Sequence, residues 1–420
     1  MNEPQKLTTG VCIVGGGPCG MMLGVLLARA GVDAIVLEKY PDFYRDFRGD
    51  TVHPSTLELL YELGWLDDFL ALPHNEFQTA SAMIAGEPVR VADLRYLRTH
   101  CKFVALMPQW DFLNFLAERG RRYPTFHLMM STQGAGLIEA QDRVSGARAT
   151  NTVGEIEIAA KLVVGADGRH STIRALAGFE VDDLGAPMDV LWMRIPKHPD
   201  DPTRQLGWVR TGHMVILLDR GDYWQCAYLI PKGSFAQLRA KGIDALQQEL
   251  AQTVPPLRDR VSELDDWSKV AMLDVRVDRL ERWHRPGLLC IGDAAHAMSP
   301  IGGIGINLAI QDAVATANVL AAPLRAGAVP TEADLQRIQD RRMFPTKVTQ
   351  AFQTFVQDRA IDPLMQGAPV TSPPLLARLF DEFPLLRRLP ARLIGIGVRP
   401  EHVHTPDAFG PAPSRASISR

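Results

Sequence analysis

The chain has 420 residues, 46% hydrophobic and 22% charged, with a formal charge of −3, the composition of a globular protein with room for two or three domains. Such a balance leaves no basic footprint for nucleic acid or an anionic surface as the main partner, and no apolar run reaches the roughly 18 residues of a membrane span. The first nine residues (MNEPQKLTT) lack the apolar core of a signal peptide, which predicts a cytoplasmic protein.

Residues 11–14 (VCIV) read as a short buried strand that runs into Gly15, Gly17 and Gly20 at GxGxxG spacing. A helix is predicted over 21–30 and a second strand over 34–37, ending on Glu38, 18 residues after Gly20. Strand, glycine turn, helix, strand and acid in that order form the dinucleotide-binding fingerprint. Gly15 permits the tight turn, Gly17 lets the backbone approach a pyrophosphate, and Gly20 lets helix and strand pack closely. The helix start offers N–H groups and a positive dipole end to phosphates, and Glu38 is placed to accept hydrogen bonds from an adenosine ribose.

A polar, aromatic loop over 39–50 leads to a helix at 54–64, with Ser55 and Glu58 in capping-box positions and Gly64 at its end. Alternation within 74–105 predicts strands and an excursion from the nucleotide domain. Residues 109–121 form an amphipathic helix with Phe112, Leu113, Phe115 and Leu116 on one side. The buried strand AAKLVV (159–164) runs into Asp167-Gly168, followed by Ser171 and Arg174. Strand then follows strand over 188–231, marked by Trp192, Trp208 and Trp224, with a helical stretch at 234–253 and one more strand at 269–277.

A third buried strand at 287–292 (GLLCIG) opens onto Asp293 and His296, then Pro300, Gly302, Gly303, Gly305, Ile306 and Asn307. Helices are predicted over about 307–324 and 331–358. A Leu- and Arg-rich helical segment covers 375–396, and a Pro/Ala/Ser tail with the composition of a disordered segment follows Phe409. The 375–396 segment has the make-up of a basic amphipathic helix that touches a membrane surface, but packing on its own protein is the expected outcome. Five dispersed cysteines, Cys12, Cys19, Cys101, Cys226 and Cys290, show neither CxxC nor Cys/His ligand spacing. This argues against a disulfide framework and against a metal site.

Three motifs in this order, spanning about residues 10–320, resemble the flavin-dependent aromatic monooxygenases of the p-hydroxybenzoate hydroxylase type. They are the glycine turn with Glu38, the DGxxSxxR pattern at Asp167, Gly168, Ser171 and Arg174, and the stretch from Gly292-Asp293 through Pro300 to Asn307. The resemblance implies an α/β fold: a doubly wound, Rossmann-like FAD-binding domain with an inserted β-sheet-rich substrate domain and a C-terminal helical segment. The FAD-binding domain is then expected over 1–73, 102–180 and 279–358, the substrate domain over 74–101 and 181–278, and the C-terminal region over 359–420.

The same resemblance implies that Gly15, Gly17 and Gly20 hold the FAD pyrophosphate, Glu38 its ribose and Asp293 its ribityl chain. Gly302, Gly303, Gly305, Ile306 and Asn307 would present backbone N–H groups to the flavin pyrimidine edge. Arg48 would lie near the flavin ring and Gln109 would contact FAD. Asp167, Gly168 and Arg174 would serve FAD and the nicotinamide donor. Arg48 and Pro300 are the expected catalytic positions, and His296 is expected in packing or polar contacts beside FAD. One GxGxxG fits a family without a separate NAD(P)H domain.

The implied reaction is reduction of FAD by NADPH or NADH, followed by O2 addition at flavin C4a and transfer of one oxygen to an aromatic substrate, in a monomer or homodimer. In the strand YWQCAYL (223–229) alternate residues face opposite sides. Tyr223 and Gln225 lie on one face and Tyr228 on the other; with His213 they are the candidate substrate contacts. Three rival readings use the same scaffold. A halogenase lacks its WxWxIP motif here, since Tyr228 and Leu229 break the run from Trp224 to Pro231. A reductase or oxidase of a lipophilic or isoprenoid substrate would need no oxygen insertion, and a flavin-binding sensor would show no substrate-stimulated turnover.

Overall fold

In the computed structural model of the chain, residues 3–44, 51–201 and 206–410 are described. Arg48 and the tail beyond 410 lie outside the described residues.

Strand Gln5–Val14 runs through the middle of an eight-stranded sheet, with Ala34–Leu37 and then Phe126–Met129 parallel to it on one side and Glu155–Gly165 and then Leu288–Cys290 on the other. All four residues of Ala34–Leu37 are buried, as expected for a parallel strand covered on both faces. The register decides the site. Val14 pairs with both Leu37 and Gly165, and Gly165 pairs with Cys290. The glycine turn, Glu38, the Asp167 turn and the Asp293 turn therefore leave the sheet at one edge, the carboxyl edge where such sheets bind ligands.

Helix Pro18–Arg29 packs over this sheet against the long helix Gly305–Arg325 and the helix Gln109–Gly120. Gly305–Arg325 belongs to the one stretch among the described residues long and apolar enough to cross a membrane, but 78% of its apolar 18-residue window is buried within the protein. It is a core helix. All five cysteines are buried and free.

A second, seven-stranded sheet runs in the order Val270–Leu273, Met188–Pro196, Tyr223–Pro231, His213–Asp219, Leu206–Arg210, Thr79–Ile84, Glu87–Asp93. The early hairpin Thr79–Ile84/Glu87–Asp93 joins it by parallel pairing of Ser81 with Leu206. One face is covered by the helices Phe235–Ala240 and Ile243–Thr253, whose Leu238, Leu246 and Leu250 pack on Val215, Trp224 and Cys226. The opposite face carries Val190, Ala227 and Leu229 with Trp192, Met214 and Ile216, and packs against Ile301 of the glycine-rich loop.

Several local expectations change. The stretch 234–253 is two helices, broken at Gly242, which takes φ +90°. The predicted strand at 269–277 is only Val270–Leu273. The helix Pro54–Glu62 has no capping box: Pro54 occupies its first turn, and Glu58 instead accepts from the backbone N–H of His100 at 3.1 Å and lies 2.7 Å from its Nδ1. A true capping box stands at Thr331 and Asp334, opening the helix Glu332–Val356. The segment 375–396 is two short helices, Leu375–Glu382 and Arg388–Gly395, separated by a stretch containing Pro384.

Candidate active site

The glycine turn is built by steric necessity at two of its three positions. Gly15 takes φ +114°, and a Cβ there would sit 2.3 Å from the carbonyl oxygen of Ala166. A Cβ on Gly20 would lie 2.0 Å from the carbonyl oxygen of Gly15. At Gly17 nothing stands within 4 Å of the Cβ position, so this glycine keeps space open rather than relieving a clash. Gly17 is also the N-cap of Pro18–Arg29, so no side chain caps the first turn of that helix. A phosphate cradle needs this arrangement. The residues fit a dinucleotide pyrophosphate.

Glu38, on the neighbouring strand end, accepts from the N–H of Gly16 at 3.2 Å and from the N–H of Tyr40 at 3.1 Å. A Cβ on Gly16 would meet the Glu38 Cβ at 2.8 Å, so the middle glycine of the run is required by the acid. Sequence spacing alone gives no reason for Gly16.

In the second motif, Asp167 caps the short helix Thr172–Leu176 region through Ser171 Oγ at 2.5 Å and the Ile173 N–H at 3.1 Å. Arg174 is buried. It donates to Asp278 at 3.2 and 3.3 Å and to the Arg169 carbonyl at 2.6 Å. Arg174 thus ties the Asp167 turn of the first sheet to Asp278–Leu280, the segment that leads back from the second sheet. Arg169 reaches Asp293 at 3.5 Å, joining the second motif to the third.

Behind Asp293, Gly292 takes φ +59° and donates its N–H to Asp312 Oδ2 at 3.1 Å. His296 Nε2 meets the same oxygen at 2.6 Å, and Arg342 Nε donates to Oδ1 at 2.8 Å. Burial pushes the Asp312 carboxyl up, but His296 and Arg342 outweigh it and hold the group below the usual carboxylate range. His296 is fully buried here and spends Nε2 on Asp312.

The loop after Pro300 makes one turn over Ile301–Gly303, with Gly302 at φ +73° and Gly303 at φ +63°. A Cβ on Gly303 would lie 2.5 Å from Thr51 Oγ1 and 3.3 Å from His53 Nε2. Asn307 clamps the loop with four bonds. Its Oδ1 accepts from the His53 N–H at 3.0 Å and Thr56 Oγ1 at 2.7 Å, and its Nδ2 donates to the carbonyls of Thr51 and Gly303 at 3.2 and 3.3 Å. The side chain of Asn307 is therefore committed to the protein, while the backbone of Gly305, Ile306 and Asn307 forms the N-terminus of a 21-residue helix, where N–H groups and dipole favour negative charge. His53 is buried, with Nδ1 2.8 Å from the Ile394 carbonyl, and burial pushes its pKa down to about 4 against that hydrogen bond. Gln109 opens the helix Gln109–Gly120, half-buried. Gly16, Thr51, His53, Asp312 and Arg342 escape sequence reasoning because their partners lie far away in the chain.

The candidate substrate contacts divide between the two faces of the second sheet. Tyr228 donates to Glu249 Oε2 at 2.5 Å, and His213 Nδ1 lies 2.8 Å from the Tyr228 hydroxyl. Both sit on the face covered by Ile243–Thr253, and burial with the neighbouring Glu249 pushes the phenol's pKa up. Tyr223 and Gln225 share the other face with Ala227 and Leu229; Gln225 accepts from Arg220 Nε at 2.9 Å, and the Arg194 guanidinium lies 4.9 Å from the Tyr223 ring centre. Trp192, Met214 and Ile216 pack on that face too, and alternation cannot mark them as candidates because it does not say which face meets the loop.

Comparison with known proteins accounts for this arrangement. The FAD binding domain family matches residues 8–351. The chain is 35% identical over 321 residues to 6-methylpretetramide 4-monooxygenase of Streptomyces rimosus, covering 76% of each chain. It is 24% identical over 348 residues to para-nitrophenol 4-monooxygenase of a Pseudomonas species, covering 80% of this chain and 83% of that one. A solved structure of a probable FAD-dependent monooxygenase from Pseudomonas aeruginosa shares the fold, with TM-score 0.73 at 22% identity over 86% of this chain and 99% of that one. The chain belongs to the FAD binding domain family and is a flavin-dependent monooxygenase, with FAD as its cofactor, of the aromatic hydroxylase type.

Proposed function

We propose that the enzyme takes electrons from NADPH or NADH and places one oxygen atom of O2 on an electron-rich, phenolic or heteroaromatic ring held between the glycine-rich loop and the second sheet. The observation that carries this reading is the packing of Ile301, in that loop, on the apolar face of Val190, Ala227 and Leu229. It supports a substrate space walled by apolar side chains, where water is excluded from the reacting centre.

FAD, when bound, supplies the oxygen-activating chemistry. The chain's residues bind and orient. Gly15, Gly17 and Gly20 make room for the pyrophosphate, Glu38 takes the ribose and Asp293 the ribityl chain. The helix start at Gly305, Ile306 and Asn307 would offer its N–H groups to the flavin, with Pro300, Gly302 and Gly303 shaping the wall and Gln109 contributing a further contact. Arg48 would act on the bound flavin, and Asp167, Gly168 and Arg174 would hold the turn that serves FAD and the nicotinamide donor. The division into FAD-binding stretches 1–73, 102–180 and 279–358 and substrate stretches 74–101 and 181–278 is supported by the strands of the two large sheets, while Asn75–Phe77 and Val181–Asp183 pair instead with Val104–Leu106 and Asp278–Leu280. We place the enzyme in the cytoplasm as a monomer or homodimer.

The test is NAD(P)H oxidation by the yellow protein in air against phenols, anthranilates, quinolones and 6-methylpretetramide, the compound named for the Streptomyces rimosus relative. Products are weighed after reaction under isotopically labelled O2. Stimulated oxidation with one labelled oxygen in the product is expected. Stimulation that yields only hydrogen peroxide, for every compound, would refute the assigned reaction.

A further inference from the structure

The two C-terminal helices leave their apolar side chains in solvent. No residue of Leu375–Glu382 is buried: Leu379 and Phe380 are half-covered, while Leu375 is 74% exposed, and Leu376 and Phe383 are exposed as well. In the connecting turn and the next helix, Leu385 and Leu389, one helical turn apart, are each 68% exposed. The segment packs on its own protein as expected, but five of its eleven large apolar side chains stay in solvent. Isolated exposed leucines need no explanation, but five large apolar side chains within fifteen residues form a patch.

The helices are fixed in place. Both lie against the edge strand Glu87–Asp93, and Arg388–Gly395 also lies against the turn Leu94–Tyr96. Asp381 accepts from Arg90 at 3.1 Å, and Arg387 is tied to the carbonyls of Phe380 and Asp381. The surface is also basic. Arg98, Arg378, Arg388 and Arg392 are exposed around the leucines, against Glu87 and Glu382, on a chain whose net charge is −3. Arg388 lies 4.4 Å from the ring centre of Tyr96, itself an exposed aromatic at the same margin.

We propose that this helix pair is a docking surface for an anionic phospholipid bilayer. Leucines flanked by arginines and an amphipathic aromatic ring match the chemistry of a membrane interface, where the apolar face enters the acyl boundary and the guanidinium groups meet lipid phosphates. A second copy of the chain would bring the same arginines against one another. Position adds a functional consequence. The Ile394 carbonyl bonds His53, and Ile394 Cγ1 lies 3.5 Å from where a Gly302 Cβ would stand. The helix that touches the bilayer is thus also the one that backs the glycine-rich loop.

The experiment is co-sedimentation of the FAD-loaded enzyme with phosphatidylglycerol/phosphatidylcholine vesicles, with phosphatidylcholine vesicles as the uncharged comparison. Binding to the anionic vesicles, release by added salt, and about a 10-fold or greater loss in the double variant Leu385→Asp/Leu389→Asp are expected from burial of two leucines. The variant should keep its flavin content and melting temperature, because both side chains stand in solvent. Arg388→Ala/Arg392→Ala should weaken binding and flatten its salt dependence. Absence of binding to anionic vesicles overturns the proposal, as does equal binding by the leucine variant. So does a dimer, seen by light scattering, that the leucine variant abolishes while vesicles bind neither protein. Binding is read without turnover, so its outcome is separate from that of the proposed reaction.

Discussion

Asp312 Oδ1 accepts a hydrogen bond from Arg342 Nε at 2.8 Å, and neither side chain is exposed to solvent. The other carboxylate oxygen holds the Gly292 N–H and His296, and Arg342 continues to Glu401 at 3.3 Å. A single buried acid therefore connects the turn carrying Asp293 to two C-terminal segments. Removing its charge leaves the buried guanidinium with Glu401 as its one remaining carboxylate partner among the described residues. Asp312→Asn should cost about 3–5 kcal/mol of stability, the range for breaking a buried ion pair from one side. Denaturant unfolding of the FAD-loaded protein measures it; a loss under about 1 kcal/mol, the value of an exposed pair, would place the network outside the stabilising core.

Acid should act through His53. Its folded-state pKa of about 4 lies below its ordinary 6.5, so between those values the unfolded chain binds the proton and the native ring does not. Stability is complete above about pH 6.5 and falls as the pH drops toward 4, by about 3 kcal/mol if the shift is fully expressed. His53→Gln should lose this limb of the stability–pH curve while keeping the rest. Parallel curves for the two proteins across that window would count against it.

Gly17 and Gly20 should fail differently. The space beside Gly17 is open, so Gly17→Asp should fold and purify colourless, its carboxylate facing the pyrophosphate position. Gly20→Ala would force a methyl group to 2.0 Å from the Gly15 oxygen, so it should lose thermal stability along with flavin. Flavin absorbance per mole of protein and the melting temperature of each variant separate the two. A fully yellow Gly17→Asp would contradict the cradle.

Arg48→Ala, on the resemblance argument, should retain FAD but slow its reduction or divert electrons to hydrogen peroxide. Stopped-flow reduction and peroxide yield per NAD(P)H test this. Unchanged values for both would count against a role for Arg48 in the reaction.

The sequence alone determined the motifs, because their chemistry is local. A strand running into glycines and then a helix start is a short-range pattern, and the acid after the next strand follows at a fixed distance. It also located the second sheet's strands by alternation. Tertiary structure decided what faces what. Period-two alternation separates Tyr223 and Gln225 from Tyr228 but assigns neither face to the loop; the helix Ile243–Thr253 settles that by covering His213 and Tyr228. The need for Gly16 depends on Glu38, and that for Gly303 on Thr51 and His53, all brought close only by folding. Asp312, His296 and Arg342 look like ordinary helix and loop residues until three segments meet at one carboxylate. Burial and pairing over long sequence separation make these contacts, and no local pattern encodes them.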